Sequence, residues 1–182
     1  KIVEGYNSVI SALENNRVLE IIALEKNLDS KKVKDLIKIA QQKKVEVKNI
    51  KSKNEWEFTS TEYVAAICVP KTIYSESDLK KFDETNFIVC DHIQDTNNLG
   101  AIARSAASFD FNVMCVPERR SARLSERTFK ISSGGLEKID ILEYKSIFSL
   151  IKKFQSLNIW TIGLDMDGDC LLYTSPSPRD TA

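Results

Sequence analysis

The chain has 182 residues, with 26 lysines and arginines against 26 aspartates and glutamates, one histidine and four cysteines. That length holds one ordinary domain or two small ones, and the zero net charge leaves any basic surface to be local, so overall charge points neither toward nor away from nucleic acid. The single histidine, His92, excludes a His-rich metal site, and no stretch approaches a membrane span or a signal core, which predicts a soluble cytoplasmic protein.

The chain opens on a short amphipathic helix, with Val9, Ala12 and Leu13 on its apolar side. Val18 to Leu24 reads as a strand. Asp29 or Ser30 can cap a helix with Val33, Leu36, Ile37 and Ala40 on one face and lysines on the other. Val45–Val47 and Tyr63–Val69 read as two further strands. This alternation predicts a small α/β domain over residues 1–72. The polar, charged stretch 73–85 is expected to be a linker.

A second α/β unit is expected over residues 86–169. Phe87 to Cys90 is an apolar run that reads as a buried strand, followed by a polar turn and then a helix. Leu99, Ile102, Ala103, Ala106 and Phe109 fall at the three- and four-residue steps of one helical face, and Asn97 or Asn98 stands where an N-cap is needed. Arg104 points away from the apolar stripe. Asn112–Val116 is another strand, Ile147, Leu150, Ile151 and Phe154 mark another amphipathic helix, and Ile159–Leu164 is expected to be the third strand of this unit.

Residues 170–182 carry two of the four prolines and no periodicity. Such a segment cannot continue a sheet, and it is expected to be a disordered tail or a non-native read-through. Cys68, Cys90, Cys115 and Cys170 are widely spaced, mostly within apolar strand-like runs, and read as small buried residues of a reducing compartment rather than as a disulfide or zinc framework.

Four features bear on chemistry. On spacing alone, Asn98 reads as a helix cap and Arg104 as a solvated side chain; the competing reading uses the fixed guanidinium fork of Arg104 to hold a phosphate or an activated hydroxyl. Arg119, Arg120, Arg123, Arg127 and Lys130 make the clearest local positive patch, either a solvated face or a set of contacts to a nucleic-acid backbone. Ser132-Ser133-Gly134-Gly135 lacks the lysine of a P-loop and no GxGxxG precedes it, so it reads as a turn or close-packing site. Asp165, Asp167 and Asp169 alternate, but no glutamate completes a calcium loop, and they read as solvated.

Asp95-Thr96-Asn97-Asn98-Leu99-Gly100-Ala101-Ile102-Ala103-Arg104-Ser105-Ala106 resembles the first motif of the SpoU/TrmH class of RNA 2′-O-ribose methyltransferases, which share the knotted SPOUT fold. The start of the chain resembles the small RNA-binding domain that precedes many of these catalytic domains. Arg119–Ala122, Ser132–Glu137 and Asn158–Gly163 resemble the subgroup that methylates a guanosine in large-subunit ribosomal RNA. The resemblance implies a small RNA-binding α/β domain joined to a SPOUT domain of the trefoil-knot type. It implies S-adenosylmethionine as methyl donor, ribosomal RNA as partner, a homodimer, and no metal.

Carried over by position, the resemblance makes Asn98 and Arg104 the active-site pair of the first motif and places Leu164 and Asp165 at the border of the cofactor. Two departures stand out: Thr96 where the family usually has proline, and Thr61-Glu62-Tyr63 where it commonly has His-Gln-Gly. The family's glycine–glutamate loop and serine–asparagine knot segment do not appear where they belong. The expectation is therefore an incomplete catalytic domain that is itself inactive. The rival readings are a non-catalytic RNA-binding protein and, third, an unrelated nucleotide-binding α/β domain.

Overall fold

The computed structural model describes residues 1–82, 85–119, 121–122 and 124–164. The chain divides into two compact units, Lys1–Ile147 and Phe148–Ala182. The first unit contains two sheets. One is built from β1 (Ile2–Glu4), β2 (Val18–Leu24), β3 (Glu46–Ile50) and β4 (Val64–Cys68) in the order β1-β4-β2-β3, with helices α1 (Tyr6–Glu14) and α2 (Lys31–Gln42) between its strands. The other is built from β5 (Ile73–Ser75), β6 (Phe87–Val89), β7 (Val113–Pro117) and β8 (Asp140–Tyr144) in the order β5-β8-β7-β6.

The first sheet is mixed: β4 runs antiparallel to both β1 and β2, and β3 runs parallel to β2. Val9, Ala12 and Leu13 of α1 and Val33, Leu36 and Ala40 of α2 bury their apolar faces with Ile21 and Ala66 in one core. Ser30 caps α2, its hydroxyl accepting from the Val33 amide at 3.3 Å. Strand β1 has no sequence signal of its own. Three residues are too few to show an alternation, and the strand exists because β4 pairs it.

The second sheet is parallel throughout. Its middle strand β7 is buried along its whole length, as expected of an apolar run covered on both faces. Helix α3 (Thr96–Ser108) follows β6; α4 (Glu126–Ile131) and the single turn α5 (Gly135–Lys138) lie between β7 and β8. Leu99, Ala103 and Ala106 from α3, Phe129 from α4 and Leu136 from α5 form the core over Met114, Val116 and Ile141.

Two expectations are corrected here. The stretch 73–85 is not simply a linker: Ile73–Ser75 pair in parallel with Ile141–Glu143 as an edge strand, and a 3-10 helix spans Glu76–Lys81. Leu79 is buried, and edge-to-face contacts run from Tyr74 to Phe82 at 5.0 Å and from Phe82 to Phe87 at 6.2 Å. Scattered apolar residues among charges hid an element that only its partner strand stabilises. The second correction concerns Ile159–Leu164, which form no strand: Trp160, Ile162 and Leu164 are 96%, 80% and 83% exposed. Helix α6 (Ile147–Ser156) forms as its spacing predicts, with Leu150 and Phe154 buried. Asp165, Asp167, Asp169, Cys170 and the 170–182 segment lie outside the described residues.

The remaining cysteines are buried, and desolvation pushes the Cys90 and Cys115 thiols up to about 12 and Cys68 up to about 11. They are neutral, packed thiols at any ordinary pH. No helix among the described residues is long and apolar enough to cross a membrane.

Candidate functional site

In a parallel sheet, the loops that leave the carboxyl ends of the strands build the site. Here the loop after β6 and the loop after β7 are tied together. The Ile93 carbonyl accepts both the Ala122 amide at 2.7 Å and the Ser121 hydroxyl at 3.1 Å. The Tyr144 hydroxyl donates to the Cys90 carbonyl at 3.0 Å, fixing the start of the same loop.

The cap of α3 is Asp95, not Asn97 or Asn98. Its backbone is extended and its carboxylate accepts the Asn97 amide at 2.9 Å, while both asparagines lie inside the helix. Aspartate caps as well as asparagine does, and its charge also suits the positive helix end. With the cap filled, Asn97 is free to use its side-chain oxygen elsewhere, and it accepts from Arg127 Nη2 at 3.2 Å.

Asn98 and Arg104 are both exposed, but they are six positions apart on α3. At about 100° and 1.5 Å per residue, they stand roughly 120° apart around the axis and about 9 Å apart along it. Asn97, not Asn98, shares the side of the helix that carries Arg104. Among the described residues no carboxylate lies within ion-pair distance of Arg104.

The turn of α3 that bears Arg104 is gripped from two sides. A side-chain carbon on Gly100 would lie 2.8 Å from Ile131 and 3.0 Å from the Thr128 carbonyl of α4. One on Gly135 would lie 2.8 Å from both the Ala103 carbonyl and the Arg104 Cα. The Ser132–Gly135 stretch is thus a close-packing turn, with Gly134 in the left-handed region at φ 91° as N-cap of α5. Gly135→Ala is expected to cost about 1–3 kcal/mol, because the atoms it meets are backbone and cannot rotate aside. A urea melt measures this; an unchanged midpoint would show that α5 moves freely against α3.

Three of the five residues of the basic run are described. Arg119 is exposed, Arg127 is engaged with Asn97, and Arg120 and Arg123 lie outside the described residues. Lys130 lies 3.8 Å from the Glu4 carboxylate and donates to the Thr59 hydroxyl at 3.0 Å, so it ties α4 to the first sheet. Sequence reasoning also missed a buried ion pair: Arg17, at the start of β2, bonds the Glu137 carboxylate of α5, and no local pattern announces a contact 120 positions long.

The resemblance carries Leu164 and Asp165 over to the border of the cofactor, and the structure describes only the first of them. Leu164 is 83% exposed, and Asp165 is outside the described residues.

The comparisons with known proteins agree with the motif reading. Residues 85–181 match the family model described as SpoU rRNA methylase, and residues 2–59 match the one described as RNA 2′-O ribose methyltransferase substrate binding. The 23S rRNA (guanosine-2′-O-)-methyltransferase RlmB of Xylella fastidiosa is 25% identical, over 94% of this chain and 72% of its own. RlmB of Escherichia coli is 30% identical, over 58% of this chain and 45% of its own. Among solved structures, the SpoU methyltransferase AviRb of Streptomyces viridochromogenes, in complex with AdoMet, matches with a TM-score of 0.64 at 16% identity. That match covers 86% of this chain, which spans 58% of AviRb. With its two-sheet α/β fold, its first-motif helix and a catalytic family model over more than half its length, the chain belongs to the SpoU rRNA methylase family.

Proposed function

We propose that this protein takes part in 2′-O-methylation of a ribose, that of a guanosine in large-subunit ribosomal RNA, and that its own residues serve the RNA side of the reaction. The observation that carries this reading is Arg104: an exposed guanidinium with no carboxylate partner among the described residues, on a helix turn held by two glycine contacts within the family motif. A ribose hydroxyl is a poor nucleophile, and negative charge grows on its oxygen as its proton leaves. A guanidinium stays protonated, so Arg104 is no simple base; it orients the neighbouring phosphate and stabilises that developing charge. Asn98 is the second site residue of this proposal, exposed early in the same helix, while Asp95 holds the turn.

In this reading residues 1–72 are an RNA-binding domain and residues 86–169 belong to the methyltransferase domain. Arg119, Arg120 and Arg123 contact the RNA backbone. Looped or single-stranded RNA is the target, because only there is a ribose free to enter a pocket. The homodimer and the cytoplasmic setting that the resemblance implies belong to the same proposal.

S-adenosylmethionine is the methyl donor of this proposal, and it is the ligand named for AviRb. Since the sequence shows neither the family's glycine–glutamate loop nor its serine–asparagine segment, titration calorimetry on this chain is expected to show no micromolar binding, and the chain alone is expected to be inactive. Micromolar binding would overturn that part. The function itself is tested by filter binding of ribosomal RNA fragments at low and high salt, together with transfer of labelled methyl groups by a form extended to the length of the relatives. Salt-sensitive binding and transfer to a ribose oxygen are expected. Binding without transfer would replace this reading with a non-catalytic RNA-binding protein; absence of binding would overturn both.

A further inference from the structure

A cleft of about 340 Å³ opens beside Arg104, between α1 on one wall and α3 with the Ser132–Lys138 elbow on the other. Arg104 and Lys138 line it, with Asn7, Ser108, Ser133 and one carboxylate, Glu14. All six are exposed. Other basic groups around this elbow are already engaged: Arg17 with Glu137, Lys71 with the Glu137 carbonyl at 3.2 Å, Lys130 with Thr59 and Glu4, and Arg127 with Asn97. Arg104 and Lys138 have no ion-pair partner among the described residues. The cleft thus joins two unpaired cations to a set of neutral hydroxyl and amide groups.

We infer that this cleft binds the sugar–phosphate backbone of a single RNA strand, with Arg104 and Lys138 on phosphate and Asn7, Ser108 and Ser133 hydrogen-bonding phosphate or ribose oxygens. The inference rests on the RNA reading above and adds to it a place and a contact set. Cations hold the anionic backbone, and neutral donors fix its register. The volume lies at the small end of ligand sites, about 300–1,000 Å³, which suits roughly one nucleotide unit and excludes a duplex. One wall is α1 of the first sheet's layer. The two segments matched separately by the substrate-binding and methylase families therefore make this site jointly.

The charge pattern gives the test its signs. In fluorescence anisotropy with a labelled single-stranded RNA oligonucleotide and the whole chain, Lys138→Ala is expected to weaken binding about three- to tenfold at low salt and to lower the salt slope by about 0.7, as for one lost phosphate contact. Glu14→Gln is expected to tighten binding by a similar factor, since it removes the only carboxylate lining the cleft. Ser108→Trp fills the cleft without changing charge and is expected to weaken binding, whereas Lys34→Ala on α2, away from the cleft, is expected to leave it unchanged. Duplex RNA is expected to bind independently of Lys138. Wild-type affinity in both Lys138→Ala and Ser108→Trp, with RNA still bound, would overturn the inference while leaving the functional reading standing; no RNA binding by the unsubstituted chain would overturn the functional reading itself.

Discussion

Arg104→Ala is expected to lower methyl transfer by about 10²–10³-fold in a form extended to the length of the relatives, a loss of about 2.7–4 kcal/mol of transition-state stabilisation. Its fold is expected to survive, because the side chain is exposed and makes no ion pair among the described residues, and such surface changes usually stay within about 0.5 kcal/mol. Arg104→Lys separates charge from shape: it keeps the cation and loses the planar fork, so an intermediate rate is expected if bidentate contact matters. The kinetic split is the discriminating measurement. If Arg104 only held RNA, the Michaelis constant for RNA would rise and kcat would stay; if it stabilises charge on the attacking oxygen, kcat falls. Normal turnover in Arg104→Ala would end the catalytic assignment.

Where the sequence was legible, a short-range rule governed the structure. The stripe Leu99, Ile102, Ala103, Ala106 and Phe109 predicted α3, and Arg104 stands exposed opposite it; only Phe109 leaves the buried face, 75% exposed at the helix C-cap. The cap moved upstream to Asp95 because three neighbouring residues can all cap a helix, and the backbone geometry that selects one of them is set by the loop before it. What failed depended on partners far along the chain. Ile73–Ser75 become a strand only because Ile141–Glu143 lie alongside, and Ile159–Leu164, a stronger apolar pattern, form none. An apolar run is therefore a capacity for pairing, realised only where an edge receives it. The candidate site divides in the same way. Asn98 and Arg104 were visible as a motif, but helix periodicity sets them on different sides, and the cleft at Arg104 owes its second wall to α1, which no local pattern connects to it.

Arg17→Leu is expected to cost about 3–5 kcal/mol, the usual penalty for stripping the partner from a buried charge. The Glu137 side chain is fully buried, and Arg17 is only 11% exposed. One carboxylate oxygen takes the Arg17 guanidinium, and the other, Oε1, has no hydrogen-bond partner among the described residues. That carboxylate already lacks part of its solvation, so loss of the guanidinium leaves it with nothing comparable. Lys71 donates to the Glu137 main-chain carbonyl, and burial holds its pKa below the ordinary lysine value, so it is a poor substitute. Arg17 also donates to the Val69 carbonyl at 2.7 and 3.1 Å and lies over the Phe129 ring at 5.6 Å, which means leucine loses packing as well as charge. At about 2–4 °C per kcal/mol for a domain of this size, the melting midpoint is expected to fall by roughly 6–20 °C. The paired replacement Arg17→Met with Glu137→Leu removes both charges and is expected to recover most of the loss. If the single change costs less than about 1 kcal/mol, water reaches Glu137 freely and the pair is not what fixes α5. If instead the single change is severe and the double one mild, the pair does its work by holding α5, and with it Gly135 against the turn that carries Arg104.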